Sequence, residues 1–142
     1  MKLKEIVSAY KLLGEAKVTK LDEAEVVKIV KIRKEMRSYA DAYEEFLKDV
    51  QEKFKPENWD DVQAKLQKWQ QEGEKTTLTE YERIEVNKVF INYQKKIESA
   101  VKEELEKEIH ISIEKLKEDS LTKLMIENAW EVKKLDDLDI LV

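Results

Sequence analysis

Cysteine is absent from this chain, proline and histidine each occur once, and glycine occurs twice. Without a thiol there is no disulfide framework, no cysteine nucleophile and no thiolate metal site. The two glycines, Gly14 and Gly73, stand far apart, which rules out a glycine-rich loop cradling phosphate. No apolar run reaches even five residues, so neither a secretory signal segment nor a membrane-spanning helix is expected. What the chain has in abundance is charge and helix formers. Of its 142 residues, 42% are charged and another 42% hydrophobic. So few helix breakers predict a mainly α protein, and the length fits a single helical domain over residues 1–142 that buries about two-thirds of its surface.

Hydrophobic spacing divides the chain. Leu3, Ile6, Val7, Tyr10 and Leu13 recur at three- and four-residue intervals and predict a first amphipathic helix over roughly Lys2 to Ala16, its end weakened by Gly14. Residues 1–4 also fit a short alternating strand. Thr19-Lys20-Leu21-Asp22 has capping-box spacing and is expected to open a long helix. Ile29, Ile32, Met36, Tyr39/Ala40, Tyr43, Phe46/Leu47, Val50 and Phe54 give that helix a coiled-coil-like stripe, which Pro56 terminates. From Lys20 to Phe54 the helix spans about 52 Å, too long for a sphere of this mass, so an elongated molecule is expected.

Residues 56–78 form an accessory helical elbow, with Asn58 as cap, Trp59, Val62, Leu66 and Trp69 at helical spacing, and Gly73 as the left-handed stop. Overlapping boxes, Thr77 with Glu80 and Thr79 with Glu82, predict a second long helix. Its expected apolar face is Tyr81, Ile84, Val89/Phe90, Tyr93, Ile97, Val101 and Leu105. In residues 108–142, strict alternation around Ile109, Ile111 and Ile113 predicts one short β-strand. Asp119 is then expected to cap a C-terminal helix, before an apolar tail ending Ile140-Leu141-Val142.

The fold expected is therefore an elongated antiparallel long-helix hairpin or bundle, with short accessory helices and one strand near 109–113. A single histidine, His110, lies on the polar side of that strand with no metal-ligand spacing around it. No catalytic residue, cofactor, metal or small-molecule substrate is expected, and the chain reads as a non-enzymatic interaction or assembly protein. Trp59 and Trp69, the strand isoleucines Ile109, Ile111 and Ile113, and Ile140 and Leu141 of the tail are the candidate protein-binding residues, toward another protein or a second copy. The alternative is nucleic acid. Residues 17–37 hold seven basic against four acidic side chains within a chain of net charge −5. There Lys28, Lys31, Arg33, Lys34 and Arg37 form a stripe suited to a phosphate backbone.

The layout resembles small proteins of unknown function encoded by tailed bacteriophages and prophages of gut bacteria. The features that carry the likeness are the short apolar N-terminal segment, the Lys-rich turn at Lys17 to Leu21 opening a long helix, and a second long helix. The segment Glu106-Lys107-Glu108-Ile109-His110-Ile111-Ser112-Ile113-Glu114-Lys115-Leu116 then precedes a short C-terminal helix. The resemblance spans most of the chain and brings no assigned catalytic residues. It implies a phage or mobile-element context, hence a bacterial host cytoplasm or a phage particle, rather than a mechanism; the interaction protein expected from the residues would there be an accessory or chaperone-like factor.

Overall fold

A computed structural model describes all 142 residues, and six α-helices account for most of them. They are α1 (Leu3–Glu15), α2 (Glu23–Phe54), α3 (Trp59–Glu72), α4 (Glu80–Leu105), α5 (Glu118–Glu127) and the single turn α6 (Leu135–Leu138), with short 3₁₀ turns beside α3 and α6. None is long and apolar enough to cross a membrane. The chain packs as two compact units. Unit 1 comprises Met1–Glu45 and Glu104–Val142, and unit 2 comprises Phe46–Glu103, so the backbone leaves the first within α2 and returns within α4.

Unit 1 is built around Ile6, Ala9, Leu12 and Leu13 of α1, Ile29, Ile32 and Met36 of α2, Leu121 and Leu124 of α5, and Leu116, Leu138 and Leu141. The α2 positions are those the helical spacing marked, because a helix in water must turn one stripe to a core; on α1 that spacing marked Ile6 and Leu13, while Ala9 and Leu12 are buried in place of Val7 and Tyr10, which are only partly covered. Gly14 has a particular use here. A Cβ on it would lie 2.8 Å from the Arg33 guanidinium, whose carbon sits 4.3 Å above the Tyr10 ring. The missing side chain leaves that cation room to stack.

No strand forms at 109–113. The only pairing is an antiparallel bridge between Lys2 and Glu108, framed by Leu3 N–H donating to the Lys107 carbonyl at 2.9 Å and Ile109 N–H to the Met1 carbonyl at 2.7 Å. The ladder stops there because α1 begins at Leu3 and leaves almost no extended chain to continue it. The two readings of the N-terminus thus divide at Lys2. The alternation has another cause: Ile109, Ile111 and Ile113 pack on the unit 1 core while His110, Ser112 and Glu114 face solvent.

Two expected caps are also replaced. Helix α2 opens at Glu23 rather than within the Thr19 box, and the Thr19 hydroxyl instead donates to the Glu127 carboxylate at the far end of α5. Asp119 caps nothing: α5 starts at Glu118, and the amide of Lys117 just before it donates to the Glu25 carboxylate at 3.1 Å. A carboxylate borrowed from α2 offers the same acceptor to the free amides of a first turn as a local cap would, and with a full negative charge. At the other end of α5, Asn128 accepts from the Lys17 amide at 2.7 Å and donates to the Lys17 carbonyl at 3.0 Å, tying down the linker between α1 and α2.

In unit 2 the helix-ending signals and the Thr79 box hold, whereas Asn58 precedes α3 without a side-chain hydrogen bond to it and Thr77 forms no box with Glu80. Helix α2 stops at Phe54, two residues before Pro56, and Gly73 takes a positive φ of 58° at the end of α3. The Thr79 box closes reciprocally, with Glu82 N–H donating to the Thr79 hydroxyl at 3.1 Å and Thr79 N–H to the Glu82 carboxylate at 3.2 Å. The core is small and aromatic. Val50, Val62, Leu78 and Val86 are buried, and the Trp59 ring lies parallel to Phe90 at 6.4 Å and tilted over Tyr93 at 4.3 Å. The Tyr93 hydroxyl donates to the Gln51 carbonyl at 3.2 Å, giving its polar end a partner.

Candidate interaction surfaces

Helix α4 carries two apolar stripes rather than one. The inner stripe passes through Val86, Phe90, Tyr93 and Ile97, and packs in unit 2. Tyr81 and Ile84, expected on that same face, lie about a third of a turn or more away and point outward, 73% and 59% exposed. They begin a second stripe, Tyr81, Ile84, Lys88, Ile91 and Lys95, at alternating three- and four-residue spacing, in which Ile91 is 41% exposed. Along it Glu85, Lys88, Val89, Ile91, Asn92 and Lys95 line an open groove, and around Ile84 a depression is walled by Trp69, Glu80, Arg83 and Asn87. Burial of Val86 decided the register. Once the Val86 side of α4 meets the core, Ile84 must face water, because residues two apart on a helix point about 200° from each other.

The two tryptophans of the elbow part company. Trp59 is taken up by the aromatic cluster with Phe90 and Tyr93, whereas Trp69 stays half-buried beside the exposed Ile84. The remaining protein-binding candidates lie in unit 1. Ile109, Ile111, Ile113 and Ile140 are partly covered by the core, and Leu141 is wholly buried. The Leu141 carbonyl accepts from the Leu116 amide at 2.7 Å, so the apolar tail is docked on its own unit.

The basic stripe is only partly free. Lys28 pairs at 2.9 Å with Glu25, and Arg33 stacks on Tyr10 with its Nε buried. Lys31, Lys34 and Arg37 are exposed. Glu25 itself is the one fully buried acid of the chain. Burial pushes its carboxyl up, but hydrogen bonds from the Lys28 ammonium, the Lys117 amide and the Ser120 hydroxyl outweigh that and hold it at about 2. Both oxygens of the carboxylate are thus engaged, so it serves the joint between α2 and α5.

Near the N-terminus, the ammonium groups of Lys2 and Lys4 reach Glu106 at 2.6 and 2.7 Å and lower its carboxyl to about 2. No group of three His, Asp or Glu side chains converges to hold a metal ion, and His110 is exposed. Set against protein-family models, curated proteins and solved structures, the chain finds no match in any of the three.

Of these surfaces, the outer stripe of α4 was the hardest to see in the sequence. Ile91 has no place on the face that the spacing predicts, and Tyr81 and Ile84 read as part of that face. The signal present was the seven-residue interval from Ile84 to Ile91, repeated one turn on by Lys88 and Lys95.

Proposed function

We propose that this chain is a non-enzymatic interaction protein that binds a polypeptide through the outer face of α4 and the neighbouring Trp69. The observation that carries the reading is the exposure of Tyr81, Ile84 and Ile91 on one face of one helix, beside a half-buried tryptophan. Large apolar side chains set in a row and rimmed by charge are the composition of an interface core and its rim. In unit 1 the isoleucines of 109–113 and the tail are committed to their own core. Such polypeptide binding fits an accessory or chaperone-like role, and the resemblance of layout supplies its phage or prophage setting, in a host cytoplasm or a phage particle.

The test is site-specific photo-crosslinking in cells making the full chain, with a photoreactive phenylalanine at Tyr81 and, as a control, at the exposed position Gln70. A crosslinked polypeptide from position 81 that disappears with Ile84→Asp, and none from position 70, is the expected result. Equal labelling from both positions, or none from 81, overturns the reading.

A further inference from the structure

The outer face of α4 is not only apolar; its charge is sorted along its length. From Glu80 to Asn87 the helix as a whole has three acids, Glu80, Glu82 and Glu85, against one base, Arg83, with Glu82 turned to the inner side. From Lys88 to Lys96 it carries three lysines and no acid. Glu82 is occupied by the Thr79 cap and by Lys65 at 3.8 Å. Glu80, Glu85, Lys88 and Lys95 find no ion-pair partner within the chain.

We infer that the occupant of this face is a second copy of the chain, with the two α4 helices packed antiparallel about a two-fold axis between Asn87 and Lys88. The inference rests on the proposed interaction role of the face and names its partner. Three features of the helix lead to it. Apolar and aliphatic-stemmed residues at Tyr81, Ile84, Lys88, Ile91 and Lys95 keep the three-four spacing of a coiled-coil seam, so they stay in line against a straight neighbour. The register that sets Ile84 of one copy opposite Ile91 of the other also sets Glu80 opposite Lys95, so the apolar contact and the ion pair are satisfied together, twice, by symmetry. The Lys88 side chains meet near the axis, where each lies within about two residues, roughly 3 Å of axial rise, of the other copy's Glu85. Their methylene stems add to the apolar seam while the ammonium groups reach its edge.

Parallel packing fails on the same charges. It would stack the acidic half on the acidic half and the lysine half on the lysine half, and like charges placed together oppose association. An isologous contact also closes after two copies, so a dimer forms rather than a filament.

The experiment is light scattering on the full chain across a wide concentration range, with engineered cysteines as a reporter of direction. The chain has no cysteine of its own, so any disulfide is diagnostic. The mass should rise with concentration from 16.9 kDa toward twice that value. Ile84→Asp should hold it at the lower value with helicity unchanged. Glu80→Lys should weaken the dimer about fivefold, the scale of exposed ion pairs, and the compensating Lys95→Glu should restore it. Under mild oxidation the Glu80→Cys/Lys95→Cys variant should give a linked dimer faster than either single variant.

A monomer at every concentration overturns the inference. If position 81 still crosslinks to a different polypeptide, the interaction role stands with another partner; if it crosslinks to nothing, both fall. Fastest linking by Glu80→Cys alone overturns the antiparallel arrangement.

Discussion

The carboxylate of Glu25 in α2 accepts the amide of Lys117 at the start of α5, 92 residues later in the chain. One buried acid thereby opens a helix that has no cap of its own, and it neutralises Lys28 on the way. Glu25→Gln leaves that lysine facing a neutral side chain and should cost about 3 kcal/mol of stability at neutral pH.

The same carboxyl makes stability pH-dependent, with a definite sign. Held at about 2 in the folded chain against an ordinary value of 4.5, it stabilises the fold above the ordinary value. That contribution, on the order of 3 kcal/mol, is lost as pH falls through the window from about 5 to about 2. Urea denaturation of the natural chain and of Glu25→Gln at pH 7, 4 and 2.5 checks this: the gap between them should close toward acid. Parallel curves down to the lowest pH would show that the ionised carboxylate contributes nothing.

Leu141 is fully buried, next to last in the chain. Leu141→Ala should cost about 2–5 kcal/mol, as truncating a leucine inside a packed core does. Measured by thermal or urea unfolding, a loss below about 0.5 kcal/mol would mean that the tail is free to leave unit 1.

Thr79 and Glu82 close the first turn of α4. Thr79→Ala should destabilise unit 2 by about 1 kcal/mol. Hydrogen exchange should show faster amides confined at first to the opening turn of α4. Uniform acceleration along the helix would place its stability elsewhere.

With Lys28 and Arg33 engaged, Lys31, Lys34 and Arg37 are the part of the basic stripe left for a phosphate backbone. Three contacts give a slope of log affinity against log salt of about −3 at most, and binding that fades by roughly 0.15 M salt. Fluorescence anisotropy with a mixed-sequence duplex tests this. A steeper slope, or binding that persists, would point to basic groups beyond the stripe.

How far the sequence reached can be seen residue by residue. Pro56 ended a helix, Gly73 took the positive φ, Thr79 and Glu82 formed their box, and Ile29, Ile32, Met36 and Val50 went inside. Each depends on neighbours within a turn or two, where rotation per residue and the amide-to-side-chain distance are set by covalent geometry. Such features belong to the sequence by itself.

The tertiary structure decided the rest, wherever two local answers were nearly equal. Thr19 had a capping role open to it and spent its hydroxyl on Glu127 instead; Ile109 to Ile113 alternated like a strand and met a core rather than a ladder. Helix α4 offered two apolar stripes, and only the packing of Val86 turned Ile84 and Ile91 to the outside. Those outcomes turn on which distant surface arrives first to bury apolar area, and periodicity along a single chain carries no record of that.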